Sequence, residues 1–197
     1  MAEDTTVHGM FLPRRYFVTS GIGEDPNSDL NAFDRALLRA GITQCNLVPV
    51  SSILPPDALR IDPVEITPGT ITFCVMAEMR GVKGDRIGAG VGWGKLVGKD
   101  GASYGIVAEH HGNSSKAYIQ KILKEKMEQM ARIRGMKLVD WDTRVESFEV
   151  KDNFGCALAA VVYVPWIPEA GMRSTDEFLT ANSKRAKSRR KGVAGTE

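Results

Sequence analysis

The order of apolar and polar residues predicts a chain in which strands outnumber helices. Short apolar or alternating runs, bounded by Gly, Pro, Asn and Asp, indicate seven strands. They cover residues 15–21, 44–50, 71–79, 86–97, 104–110, 145–150 and 156–164. Because proline cannot donate a ladder hydrogen bond, Pro49 confines the second strand to a sheet edge or a strand end. The last run is apolar enough for a central strand.

Two other segments carry apolar residues at helical spacing. The first helix follows a cap at Ser28 or Asp29 and stops at Gly41. Its predicted apolar stripe is Leu30, Phe33, Leu37 and Ala40. The second and longer helix opens at residues 113–115 and ends at Gly135, with an apolar stripe formed by Ile119, Ile122, Leu123, Met127 and Met130.

Glycine at every second position from Gly88 to Gly94 leaves one face of its strand bare. A bare face lets a helix or another sheet approach closely. Two helices among some seven strands predict a layered α/β (α+β) sandwich, with the helices outside the sheets. We expect one domain over residues 1–165, followed by a C-terminal extension, residues 166–197, with a basic tail.

The composition is typical of a globular protein rather than of a membrane or secreted one. The chain has 197 residues, 43% hydrophobic and 25% charged. No apolar run approaches the roughly 20 residues of a membrane span, and the acidic start does not resemble a secretory signal. Three cysteines, Cys45, Cys74 and Cys156, lie in apolar stretches and predict free thiols in a reducing cytoplasm.

The net charge of +2 is unevenly distributed. Six Lys or Arg residues and one Glu give residues 184–197 a charge of +5, which leaves −3 for the rest. No aromatic residue follows Phe178, so the tail offers no stacking platform for bases, and we favour a solvated tail over a nucleic-acid site. His110 and His111 are neighbours on a strand and point to opposite faces, so we expect no metal site. The glycine-rich strand fits neither of the nucleotide-binding motifs G-x-G-x-x-G and G-x-x-x-x-G-K-[ST].

The pair Ser51-Ser52, between an apolar run and Pro55-Pro56, is the main chemical candidate. A serine hydroxyl can attack the carbonyl of the residue before it and convert the amide into an ester. Elimination of that ester would leave a pyruvoyl group, a ketone, at the new amino terminus.

The chain resembles the pyruvoyl-dependent arginine decarboxylases over residues 14–165. The resemblance rests on an ordered set of segments, namely LNAFD at 30–34, ALL at 36–38, AGI at 40–42, NL at 46–47, SSILPP at 51–56, GIVAE at 105–109 and GCALAA at 155–160. It implies the fold of that family, assembly as trimers with active sites between subunits, and conversion of L-arginine to agmatine and CO2 in polyamine biosynthesis.

The resemblance also implies a self-cleavage. Cutting between Ser51 and Ser52 would give a β fragment, residues 1–51, and an α fragment, residues 52–197. Ser52 would become a covalent pyruvoyl group, with no metal and no pyridoxal phosphate. Asn46 is implied to assist processing, and its amide could donate to the developing oxyanion. The alternative for Asn46 is a strand-edge side chain that satisfies the backbone.

Three further positions carry implied roles in catalysis and substrate binding. Glu109 matches the catalytic acid, and it shares a strand face with Gly105 and Val107, so we expect an apolar surrounding that raises its pKa. Asp34 matches the residue that binds the substrate guanidinium, whereas Leu37 and Ile53 match pocket-lining positions. For Asp34 the alternative is a surface position paired with a neighbouring arginine, Arg35 or Arg39.

Two other functions stay open at this point. The same chemistry could act on another amino acid, because a single aspartate is a thin basis for specificity. The chain could also be an unprocessed relative that acts as a binding or assembly subunit.

Overall fold

The computed structural model of the protein describes residues 11–164. In it, two β-sheets are each covered on the outer face by one helix. This part of the chain contains two helices and nine strands. The helices are α1 (Asp29–Ala40) and α2 (Lys116–Ile133). The strands are β1 (Arg15–Asp25), β2 (Asn46–Pro49), β3 (Ile53–Leu54), β4 (Leu59–Arg60), β5 (Ile71–Val82), β6 (Arg86–Val97), β7 (Ser103–Gly112), β8 (Lys137–Glu149) and β9 (Phe154–Tyr163).

The two sheets have the strand orders β2-β5-β9-β1-β4 and β3-β7-β6-β8. In the five-stranded sheet the short edge strands β2 and β4 run parallel to their neighbours, and the remaining pairs in both sheets are antiparallel. Edge placement of β2, with Pro49, and central placement of β9 are both confirmed.

Successive side chains of β1 and β9 point to opposite faces of the five-stranded sheet, so these strands contribute to two hydrophobic cores. Phe17 and Leu158 pack with α1 on the outer face of the five-stranded sheet. Val18 and Val161 pack against Val107 of the other sheet. A third core joins α2 to the outer face of the four-stranded sheet. The order helix, sheet, sheet, helix confirms the predicted α+β sandwich.

Glycines allow both helices to approach their sheets closely. At Gly90 of β6, an added Cβ would lie 2.6 Å from a methyl group of Val145 and 3.0 Å from one of Ile119 on α2. At Gly21 of β1, it would collide with the Ala36 carbonyl of α1. The bare strand face predicted for β6 is therefore the surface on which α2 packs.

The predicted stripe of α1 is wrong at one position. Leu30 is 62% exposed, and Ala32 and Ala36 face the sheet together with Leu37 and Ala40. The small side chains fit because the backbone of α1 lies so close to the glycines of β1. The predicted cap at Ser28 is confirmed, since its side chain accepts from the Asn31 N–H.

The cysteines are free, as predicted, with Cys74 and Cys156 buried and Cys45 half-buried. Burial raises the pKa of the Cys74 thiol to about 11 and that of Cys156 to about 12. Within residues 11–164, neither helix has the length and apolar character needed to cross a bilayer. The extension predicted at residues 166–197 lies outside the described residues.

Candidate functional site

The Ser51-Ser52 peptide lies where the chain crosses from one sheet to the other. Strand β2, which precedes it, is an edge of the five-stranded sheet, and β3, which follows it, is an edge of the four-stranded sheet. The Val50 N–H donates to the Cys74 carbonyl at 3.0 Å, and the Val107 N–H donates to the Ser52 carbonyl at 2.9 Å. Each sheet therefore holds one side of the serine pair.

Ser52 and Glu109 line the same pocket, which has a volume of about 260 Å³. In the antiparallel register of β3 and β7, Ile53 lies opposite Ile106 and Leu54 opposite Gly105. Continuing that register places Ser52 opposite Val107, two residues before Glu109. The strand pairing, rather than a contact between the two side chains, brings the serine and the carboxyl group to one place.

The apolar surrounding expected for Glu109 is only partial in this chain. Its side chain is exposed, and Lys126 on α2 donates from Nζ to the Glu109 backbone carbonyl at 2.7 Å. The same ammonium acts on the next residue, because burial first and Lys126 second lower the pKa of His110. The pocket therefore combines a carboxyl group and an ammonium group with an apolar rim.

Four residues of α2 complete the pocket, and sequence reasoning did not assign them to it. Lys126, Gln129, Met130 and Ile133 have the spacing of one helix face. That spacing was visible in the sequence, but nothing in the sequence showed that this face borders Ser52. Tyr163, which donates from its hydroxyl to the Ile53 carbonyl at 2.8 Å, was also missed.

Asn46 does not meet the serine pair within one chain. It begins β2, whereas Ser51 follows the end of that strand, so about 13 Å of extended backbone separates Asn46 from Val50. Its side-chain amide donates to the Gly69 carbonyl at 2.9 Å. This contact is the backbone-satisfying arrangement considered as the alternative.

Asp34 lies on α1, on the outer side of the five-stranded sheet, and does not line the pocket of Ser52. It is exposed between Leu30 and Leu38, which are 62% and 64% exposed, so an apolar border does flank it. Leu37, expected in that border, lies in the core instead. The Thr43 hydroxyl donates to Asp34 Oδ1.

The neighbouring arginines of α1 have other partners. Arg35 pairs with Asp25 at 3.0 Å, and Arg39 donates to the Ile22 carbonyl at 2.8 Å. The local ion pair considered as the alternative for Asp34 is therefore not formed. Ile53, the other expected pocket position, is 42% exposed directly beside Ser52.

The residues around Ser52 fit a pyruvoyl group formed from the chain itself. The Ser51 carbonyl, which the Ser52 hydroxyl would attack, accepts a hydrogen bond from the Ile53 N–H at 3.0 Å. The new terminus would lie in a pocket that already contains a carboxyl group. Across residues 11–164, no cluster of three or more His, Cys, Asp and Glu side chains is arranged to hold a metal ion.

Comparison with known proteins identifies one family. The family model for pyruvoyl-dependent arginine decarboxylase matches residues 15–168. A pyruvoyl-dependent arginine decarboxylase of Methanopyrus kandleri is 41% identical over 157 residues, which are 78% of this chain and 99% of the relative. Pyruvoyl-dependent arginine decarboxylase 2 of Archaeoglobus fulgidus is 37% identical, with 78% of this chain and 98% of the relative covered. The relative from Methanothermobacter thermautotrophicus is 33% identical, with 79% of this chain and 99% of the relative covered. The chain belongs to the pyruvoyl-dependent arginine decarboxylase family.

Proposed function

We propose that the protein cuts itself between Ser51 and Ser52 and then decarboxylates L-arginine to agmatine and CO2. The observation that carries this proposal is the shared pocket of Ser52 and Glu109 in a chain of this family. We further propose that the enzyme works in the cytoplasm and that agmatine enters polyamine biosynthesis.

Ser52 is the proposed precursor of the pyruvoyl group, so that neither a metal nor pyridoxal phosphate is needed. When present, the ketone would accept the electrons released as CO2 leaves the substrate. The Val107 N–H, which donates to the Ser52 carbonyl, would hold the group at the pocket. Ile53, exposed beside it, is proposed to border the substrate.

Glu109 is the proposed acid that returns a proton to the substrate carbon after CO2 has left. This role is supported by its position two residues beyond Val107 on β7, in the pocket that Ser52 also lines. Lys126 donates from Nζ to the Glu109 backbone carbonyl, so an ammonium group lies beside the proposed acid. The role of Asn46 in processing stays a prediction, because within one chain its side-chain amide donates to the Gly69 carbonyl.

Asp34 is the proposed partner of the substrate guanidinium. Its position favours an active site formed between two subunits. A carboxylate can accept two parallel hydrogen bonds from a guanidinium, and Thr43 occupies only one of its acceptor sites. Because Asp34 does not line the pocket of its own chain, we propose that it reaches Ser52 of a neighbouring subunit in a trimer. The exposed Leu30 and Leu38 on either side would pack at that contact.

The activity is tested by incubating the purified, cleaved protein with L-arginine, L-lysine or L-ornithine and measuring CO2 and the amine product. We expect agmatine from arginine, much slower reaction with the other two, and an unchanged rate in the presence of EDTA. Cleaved protein that prefers another amino acid would refute arginine as the substrate. Protein that stays whole and makes no amine would refute the enzyme.

The specificity is tested with Asp34→Asn, against Asp29→Asn as a matched variant of another exposed aspartate on α1. Loss of a charge-assisted pair should raise KM for arginine about 10–100-fold, with kcat changed less. An unchanged KM in Asp34→Asn would remove Asp34 from the substrate site.

A further inference from the structure

The turn that contains the serine pair is closed by one backbone hydrogen bond. The Ile53 N–H donates to the Ser51 carbonyl oxygen at 3.0 Å, two residues earlier, with Ser52 at the centre. This is the bond that defines a three-residue turn. The oxygen that accepts it belongs to the carbonyl that Ser52 would attack.

Groups from the core of the molecule hold the donor in place. The Tyr163 hydroxyl of β9 donates to the Ile53 carbonyl at 2.8 Å, and Tyr163 is only 5% exposed. The Val107 N–H of β7 donates to the Ser52 carbonyl at 2.9 Å. The peptide group that carries the Ile53 N–H is thus held by β7 and the following peptide group by β9, two strands from different sheets.

We propose that the backbone N–H of Ile53 is the oxyanion donor for self-cleavage and that Tyr163 is a positioning residue for it. This inference rests on the proposed function, since it concerns how the Ser51–Ser52 bond is cut. In the acyl shift, Ser52 Oγ bonds to the Ser51 carbonyl carbon, and the bond from that carbon to the Ser52 nitrogen breaks. The hydroxyl proton ends on that nitrogen.

Negative charge develops on the Ser51 oxygen during this step. A donor already aimed at that oxygen strengthens its hydrogen bond as the charge grows, which lowers the barrier. Loss of the Ser52 Cα proton and of the Ser51 carboxylate, then attack of water and release of ammonia, complete the cleavage. The Ile53 donor is in place before the reaction, whereas the Asn46 amide is bonded to Gly69 at the other end of β2.

The direct test replaces the Ile53 amide by an ester, by incorporating the α-hydroxy analogue of isoleucine during cell-free translation. This change removes the N–H and keeps the side chain. The matched control places the same analogue at Ile61, whose N–H donates to the Tyr16 carbonyl at 2.9 Å. Fragment formation is followed by denaturing electrophoresis, and intact mass separates cleavage after Ser51 from hydrolysis of the introduced ester.

We expect the Ile53 ester to slow cleavage about 10²–10³-fold, as loss of one oxyanion donor does elsewhere, and the Ile61 ester to cleave at nearly the rate of the unmodified chain. Equal rates for the Ile53 ester and the unmodified chain would overturn the proposal, as would equal slowing by both esters. If the unmodified chain does not cleave, it is the proposed function that fails.

Tyr163→Phe provides a second test that needs no backbone chemistry, with Tyr16→Phe, another buried tyrosine, as its control. Hydroxylamine cuts the ester as it forms and so reports the acyl shift separately from the later elimination. We expect Tyr163→Phe to slow the hydroxylamine-dependent cut about 3–10-fold, as loss of one hydrogen bond does, and Tyr16→Phe to leave it unchanged. A normal acyl-shift rate in Tyr163→Phe would remove Tyr163 from the positioning role.

Discussion

Among single residues, two side chains in one pocket share the proposed chemistry. Ser52 is the proposed source of the reactive group, and Glu109 is the proposed proton donor. The two come from segments that pair as antiparallel neighbours, so their separation is fixed by backbone register. Removing the acid should therefore affect turnover without moving the serine.

Glu109→Gln tests this division. We expect the cleaved Glu109→Gln protein to form agmatine about 10²–10⁴-fold more slowly, because an amide cannot deliver the proton that follows the loss of CO2. Glu125→Gln is the control, since Glu125 lies on α2 and pairs with Lys121 outside the pocket. Single-turnover measurement of CO2 and of agmatine on cleaved protein gives the rate of CO2 loss and the rate of protonation. A Glu109→Gln protein with normal turnover would exclude the carboxyl group as the acid.

The sequence predicted residues whose role depends on their side chain, and it did not predict roles that depend on the backbone or on close packing. Ser52 and Glu109 were found through motif positions, and they do lie in one pocket. Leu30 was assigned to the core because it fits the helical spacing, but alanines that can approach a glycine-bearing strand take that place. The Ile53 N–H left no trace in the sequence, because every residue except proline has that donor.

At the scale of elements, the glycines of β6 decide how closely α2 can pack. The predicted bounds of this strand, residues 86–97, agree with the structure, and the alternation of glycine from Gly88 to Gly94 marks its middle. The two-residue strands β3 and β4 were missed, since two residues show no period. The polar start of β8, an edge strand, was missed because it lacks apolar alternation.

Gly90→Ala should destabilise the protein. The added methyl group would lie within 3.1 Å of atoms of Val145, Ile119 and Leu123, so the core between β6 and α2 must shift. We expect a loss of about 1–3 kcal/mol in the free energy of unfolding, measured by urea denaturation. Gly112→Ala is the control, because the nearest atom to its new methyl group is Ser114 Oγ at 3.8 Å. Equal stability of Gly90→Ala and wild type would contradict the close packing.

Asp25 links the end of β1 to the start of α1 and should make the protein sensitive to acid. Its pKa is lowered first by the hydrogen bond from the Asn27 N–H, and also by the Ser28 N–H and by Arg35, against the opposing effect of burial. A carboxyl group with a lowered pKa stabilises the fold above its ordinary value of 3.8, and this contribution is lost as the pH falls through the lowered value.

Thermal unfolding between pH 7 and pH 2 measures this effect in wild type and Asp25→Asn. We expect Asp25→Asn to have a lower Tm at pH 7 and a smaller further loss of Tm below pH 4. Asp62→Asn, an exposed position, is the control. Parallel pH curves for Asp25→Asn and wild type would show that Asp25 does not contribute to the acid limb.

At the scale of the whole molecule, the proposed cut falls between the sheets and interrupts no strand. Residues 1–51 contain β1, which lies between β9 and β4 of the other fragment, and β2, which pairs with β5. Helix α1 also packs on β9 through Ala32, Ala36 and Leu158. The cleaved molecule therefore retains every strand pair of the uncleaved one.

The two fragments should stay associated after cleavage. We expect them to elute together in size-exclusion chromatography under native conditions and to separate only in denaturant, because separation would open the five-stranded sheet at its centre. The uncleaved Ser52→Ala chain provides the reference elution volume. Release of a free fragment of 51 residues in native buffer would contradict this arrangement.

The central claim, that Ser52 attacks the Ser51 carbonyl and becomes the reactive group, is tested most directly by the intact mass of the denatured protein. We expect two species for wild type, one ending at Ser51 and one beginning at a modified residue 52 that resists amino-terminal sequencing. We also expect a single full-length chain for Ser52→Ala and continued cleavage for Ser51→Ala, since Ser51 contributes only its carbonyl group. A wild-type chain that stays whole, or a Ser52→Ala chain that is still cut after residue 51, would contradict this claim.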